Sequence, residues 1–138
     1  MTVKYDTKIA VVLRDDLPVW QKLNITAFTV SGIAGTVKNV IGENYVDGSG
    51  NIYLPMFRQP VLVFSTSREK LRTVYERAMR RGVQPAIFTE ELFSTFNDED
   101  NRAAVKKVSR EDLNLVGSAF RDDKKAADKI LKGVSLHK

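Results

Sequence analysis

The run KIAVVL, Lys8–Leu13, constrains the fold of this chain more than any other stretch. Its five consecutive apolar residues, Ile9 to Leu13, leave no polar face to turn to water. A strand of that kind has to be covered on both sides. PVLVFS (Pro60–Ser65) repeats the pattern, and VQPAIFT (Val83–Thr89) and LNLVGSAF (Leu113–Phe120) supply a third and a fourth strand. Helical patterns alternate with these runs. In REKLRTVYERAMRRG, Leu71, Val74, Tyr75, Ala78 and Met79 fall at helical spacing, Ser67 or Thr66 is placed to cap, and Gly82 stands at the stop position. Val19 to about Ala34 reads as a helix with Leu23, Ala27, Val30 and Ala34 facing inward. Pro18 opens it, Asp15 or Asp16 offers acceptors to its free amides, and Gly32 and Gly35 end or loosen it. A broken helix is expected between Glu90 and Lys107, capped by Asn97 or Asp98, and RDDKKAADKILKG closes the chain with Gly133 as terminator. The cluster Asp47-Gly48-Ser49-Gly50-Asn51 marks a hairpin turn. Strands alternating with helices predict an α/β class, a single-domain α/β/α sandwich over residues 1–138 with a mixed, roughly four-stranded sheet and a short hairpin.

Several function classes are excluded by residue type. The chain has no cysteine, so disulfides, thiolate metal sites and a Cys nucleophile are ruled out. Its one histidine, His137, is next to last, where a frayed tail is expected, which argues against multi-His metal centres and His-based acid–base catalysis. No cofactor and no metal are implied. The opening MTVKYDTK lacks a long apolar core and no apolar run approaches a membrane span, so a soluble cytoplasmic protein with no membrane partner is expected. A net charge of +5 favours an anionic partner.

Lys22 is the residue best placed for chemistry. It follows a strand–turn junction of the kind where open α/β sheets hold their sites, and Arg14, Asp15 and Asp16 share that turn. Glu90 and Glu91, after the third strand, lie on the same sheet edge if that strand is parallel to the first. Arg68, Lys70, Arg72, Arg77, Arg80 and Arg81 crowd one helix, and Lys70, Arg77 and Arg81 form a stripe that could grip phosphates in a salt-dependent way. The glycines of Ser31-Gly-Ile-Ala-Gly-Thr follow a helix rather than precede one, so they read as a helix end and not a phosphate loop. Asp98-Glu99-Asp100 reads as a solvated cap. Tyr45, Tyr53 and Phe57 around the hairpin read as cover for the sheet, with a ligand cleft or a homodimer contact as the alternative.

KIAVVLRDDL, followed by a helix bearing Lys22, resembles the opening of type 2 peptidyl-tRNA hydrolases. The likeness continues through REKLRTVYERAMRRGVQPAIFTEE and LNLVGSAFRDDKKAADKILKG, and is closer still to small bacterial proteins of unassigned function that share that hydrolase-like fold. The resemblance implies a functional lysine at Lys22, with Thr26 where the family has glutamine and Thr29 where it often has histidine. It places the site carboxylate at Glu90 or Glu91 and the site hydroxyl at Ser94 or Thr95. It further implies tRNA, or another anionic ligand, as partner, and ester hydrolysis with Lys22 stabilising the oxyanion. Thr26 cannot supply the two N–H donors of a glutamine, and a glutamate in place of aspartate moves the carboxylate by about one methylene. A non-catalytic protein that binds RNA, a nucleotide or a small molecule on the same fold is the alternative.

Overall fold

A computed structural model describes residues 5–138. Met1–Lys4, part of the opening stretch considered above, lie outside the described residues. The elements are β1 (Thr7–Arg14), α1 (Val19–Thr36), a hairpin of β2 (Tyr45–Val46) and β3 (Ile52–Tyr53), β4 (Val61–Thr66), α2 (Arg68–Arg80) and β5 (Ala86–Thr89). After these come a 3₁₀ turn (Glu90–Ser94), α3 (Asp98–Lys106), a second 3₁₀ turn (Arg110–Asp112), β6 (Leu115–Asp123), α4 (Lys124–Ile130) and β7 (Ser135–Leu136).

The central sheet has five strands in the order β5-β6-β1-β4-β7, one more than the sequence patterns show. Among the described residues only β1 and β4 pair in parallel, and the other pairings are antiparallel. The apolar run of β1 divides between two cores. Ala10 and Val12 pack with Leu71, Val74, Tyr75 and Ala78 of α2 and Ala127 and Ile130 of α4. Ile9, Val11 and Leu13 pack with Ile25 and Ile33 of α1 on the other face. That division is why neither face of the Ile9–Leu13 stretch carries a polar residue. No helix among the described residues is long and apolar enough to cross a membrane.

α1 differs from its expected orientation. Its buried residues are Ile25, Thr29 and Ile33; of the expected stripe, Val30 packs beside the core and Ala34 is half-buried, whereas Leu23 is 67% exposed and Ala27 is also exposed. Apolar residues occur nearly all round this helix, so spacing alone does not choose a face. Contact with β6 does, through Gly117, whose missing side chain lets Ile25 approach the sheet. The helix also runs on through Gly32 and Gly35 to Thr36, so these glycines belong to its last turns. Neither Asp15 nor Asp16 caps it, because no side chain bonds its first amides and Asp16 is taken up by Arg14. α2 begins as expected, Ser67 accepting from the Lys70 amide at 3.2 Å, and Gly82 (φ 73°) supplies the left-handed stop. α3 is capped by Asn97, which accepts from the Asp100 amide at 2.8 Å. Residues 121–123, expected in the closing helix, instead extend β6, and Asp123 caps α4.

The hairpin turn is held by one carboxylate. Asp47 accepts from the amides of Ser49 (2.9 Å) and Asn51 (3.0 Å), the Asn51 side-chain amide (3.0 Å) and the Tyr53 hydroxyl (2.7 Å). The Tyr53 bond, then those from Asn51 and Ser49, pull the Asp47 carboxyl down to about 2. A carboxyl lowered on folding stabilises the turn above its unfolded value, about 3.9, and stops doing so as pH falls through its folded value. The amide resonances of Ser49 and Asn51 are therefore expected to titrate with a midpoint near pH 2, and a midpoint near 4 would contradict this geometry. Tyr45 and Tyr53 do not cover the sheet; both are exposed, while Phe57 packs beside the α1-side core.

Candidate functional site

β5 runs in the same sense as β1, with antiparallel β6 between them. The ends of β1, β4 and β5 therefore share one edge of the sheet with the start of β6, which brings Arg14, Glu90, Glu91 and Asn114 to that edge. Lys22 follows in the first turn of α1, and its ammonium turns to His137, beside Val63 of β4, rather than to either glutamate.

The contacts along that edge fall into separate pairs. Arg14, its side chain 11% exposed, donates to Asp16 through Nε (2.8 Å) and Nη2 (2.9 Å). That bond holds the Asp16 carboxyl below the usual carboxylate range. It also raises the Arg14 guanidinium, with smaller charge contributions from Asp16, Glu90 and Asp15. Glu90 accepts from the Asn114 side-chain amide at 2.6 Å. Arg14 Nη1 and Asn114 Oδ1 are buried without a hydrogen-bond partner among the described residues. Lys22 faces neither glutamate nor aspartate: its ammonium lies 3.1 Å from His137 Nε2. His137 is not a frayed end, because β7 pairs with β4 and the His137 amide donates to the Val63 carbonyl at 2.9 Å. The Thr26 hydroxyl donates back to the Lys22 carbonyl at 2.8 Å, and Thr29 to that of Ile25 at 2.8 Å. Ser94 and Glu91 are exposed, and Thr95 donates to the Leu92 carbonyl at 3.0 Å and to Asn101.

The basic stripe of α2 also divides. Arg77 Nη1 donates to the carbonyls of Ile130 (3.2 Å) and Lys132 (2.8 Å), finishing the end of α4. Lys70 lies against Gly133 at the same place. Arg72 donates to the Arg110 carbonyl at 2.6 Å and pairs with Glu76. Arg80 and Arg81 stay exposed and, with Arg77 and Lys129, line a hollow of about 300 Å³.

A larger concave feature lies between α1 and α3. Two adjoining hollows of about 410 and 420 Å³ share Phe28, Phe88, Leu92, Asp98 and Asn101. β5 forms the floor, α1 one wall, and the 3₁₀ turn with α3 the other. Four aromatic rings run along it in edge-on or tilted contact. Trp20 meets Phe93 at 5.7 Å between centroids, Phe93 meets Phe88 at 5.0 Å, and Phe88 meets Phe28 at 5.9 Å. Trp20 is 59% and Phe28 54% exposed, so part of this aromatic surface is open to solvent. Asn24, Thr95, Asn97 and Asn101 supply polar atoms. The sequence carries one signal of this groove: Trp20 and Phe28 are bulky residues off the stripe that α1 buries. Their partners come from elements more than fifty residues away, and spacing along the chain does not reveal them.

No curated protein matches the sequence. The chain is similar to a protein of unknown function from Agrobacterium tumefaciens whose structure has been solved, with 47% identity over 98% of this chain and 100% of that one and a TM-score of 0.95. The model of a family described as proteins of unknown function, DUF2000, matches residues 7–138. With nearly its whole length matched, this chain belongs to the DUF2000 family.

Proposed function

We propose that this protein binds a flat heteroaromatic molecule of nucleobase size in the groove between α1 and α3, without converting it. The aromatic file Trp20–Phe93–Phe88–Phe28 carries this reading. Side chains of that size left open to water forgo burial unless something stacks on them. The groove has the volume usual for small-molecule sites. Asn97 is taken up in capping α3 and Asn101 Oδ1 by Thr95, which leaves the Asn24 amide and the Asn101 Nδ2 as donors and the Asn24 carbonyl as acceptor for the polar edge of a heterocycle. Three of the groups that would perform hydrolysis are engaged apart from one another, Lys22 with His137, Glu90 with Asn114 and Thr26 with its own helix, while Glu91 and Ser94 stay exposed.

Trp20 is the only tryptophan, so its fluorescence reports on this groove alone. Adenosine, guanosine, cytidine and uridine titrated onto the protein are expected to give at least one saturable change. Phe28→Ala should weaken that binding about tenfold, within the roughly 1–3 kcal/mol that stacking on an aromatic side chain contributes. Unchanged emission with all four at millimolar concentration would contradict the reading.

A second reading follows from the position of Lys22 and from the likeness to type 2 peptidyl-tRNA hydrolases. Lys22 lies in the first turn of the helix that follows β1, the kind of strand–helix junction at which α/β proteins place their chemistry, and β1 pairs in parallel with β4. Ester hydrolysis there requires Glu90 to exchange Asn114 for water, or the exposed Glu91 to act in its place. Under this reading peptidyl-tRNA is turned over and Lys22→Ala abolishes turnover while tRNA binding persists. Under the binding reading neither protein turns it over.

A further inference from the structure

We propose that the ligand of the groove is a free mononucleotide, its phosphate held by Arg102 and Lys106 of α3; this rests on the binding reading above. The wall that α3 presents to the groove consists of Asp98, Asn101, Arg102, Val105 and Lys106. Arg102 and Lys106 are four residues apart and so lie one turn above the other on the same flank. Asp98, one turn earlier, is the only acidic residue lining either hollow. The groove is thus polarised along α3. Trp20, Phe93 and the asparagines gather in the hollow whose one charge is Asp98. Both cations line the other hollow, with Phe28 and Phe88 shared between the two.

Two cations at the end of an aromatic slot match a dianion joined to a ring better than they match a neutral nucleoside. The arginine adds a planar fork that suits phosphate oxygens. In the free protein Arg102 is paired with Asp98, and both side chains are largely exposed. An exposed pair of this kind contributes little to stability, so a phosphate can take the guanidinium over at small cost. Asp98 then opposes the ligand by its charge, and removing that charge should tighten binding.

The probes are adenosine, its 5′-monophosphate, the other three nucleoside and nucleotide pairs, and a six-nucleotide single-stranded RNA. Affinities are read from Trp20 fluorescence and confirmed by calorimetry. The nucleotide of the preferred base is expected to bind about tenfold tighter than its nucleoside, an advantage that shrinks with added salt. Arg102→Ala combined with Lys106→Ala should erase that advantage and leave nucleoside affinity within twofold of the parent. Asp98→Asn should strengthen nucleotide binding more than nucleoside binding and so widen the advantage of the nucleotide. All three positions are exposed, so far-UV circular dichroism should be unaltered. Equal affinity for nucleoside and nucleotide, or an advantage surviving in the double variant, overturns the inference and spares the groove. The RNA binding ten times tighter than the mononucleotide overturns the free mononucleotide as ligand. Failure of every probe overturns the binding reading together with this inference.

Discussion

Phe120→Ala is expected to cost about 3–5 kcal/mol, the usual range for deleting a buried aromatic ring. Phe120 is the largest of the fully buried side chains. It lies in β6, opposite Ala10 of β1, and belongs to the core covered by α2 and α4. At Phe120 β6 is paired with β1, its pairing with β5 ends at the neighbouring Ala119, and helices cover the ring, so the backbone cannot close over the lost ring and the cavity term adds to the transfer term. Domains of this size are stable by about 5–15 kcal/mol in all, so one substitution removes a large share. Urea titration checks it: the midpoint should fall with the slope unchanged. A loss below about 1 kcal/mol would show that the site collapses freely and that this core is less tightly packed than described.

Gly117→Ala is expected to destabilise by about 1–3 kcal/mol through overpacking. A Cβ at Gly117 would stand 2.4 Å from Ile25 Cγ2 and 3.4 Å from Leu13 Cδ2. The Ile25 methyl group branches directly from Cβ and cannot swing aside without a change of rotamer that the helix disfavours. Relief must come from lifting α1 off the sheet, which also moves Trp20 and Phe28. The double variant Gly117→Ala, Ile25→Ala tests this cause. It should cost less than the sum of the two single changes, since removing Cγ2 removes the clash. Strict additivity would show that the alanine is accommodated elsewhere.

Residues whose partners lie close in sequence, or whose pattern admits one solution, were legible before folding was known. The β1 run demanded cover on both faces and has it from α1 on one side and α2 with α4 on the other. α2 carried one apolar stripe, a cap and a glycine stop, and Leu71, Val74, Tyr75 and Ala78 are buried as that stripe requires, with only Met79 exposed at its end. α1 offered too many apolar residues, so Leu23 and Ala27 competed with Ile25 and Ile33 for the inward face, and the choice was made by a glycine more than eighty residues away. β7 is a two-residue edge strand, Ser135–Leu136, too short for any periodicity. It nonetheless brings His137 to Lys22, a neighbour that no local pattern indicates.

The candidate site divides in the same way. The shared edge of Arg14, Glu90 and Glu91 depends on β5 running in the same sense as β1, a direction that the sequence left as a condition and that the antiparallel β6 between them supplies. Side-chain pairing does not follow from it, and Asn114 and His137 occupy the glutamate and the lysine. Charge spacing on α2 gave a stripe, but Arg77 and Lys70 turn to the end of α4 because its last carbonyls need donors. The aromatic groove is assembled from α1, β5 and the 3₁₀ turn, three elements that only the folded chain brings together.

The measurement that tests the groove most directly is a ¹H–¹⁵N correlation spectrum of the protein titrated with the nucleotide that most affects Trp20 fluorescence. The expected result is a set of shifts centred on the Trp20 indole, Phe28, Phe88, Leu92 and Asn101, the residues that line the two hollows. Arg14, Lys22, Glu90 and His137 should stay unperturbed. Shifts centred on those four residues instead would contradict the groove as the binding site and return the functional centre to the sheet edge.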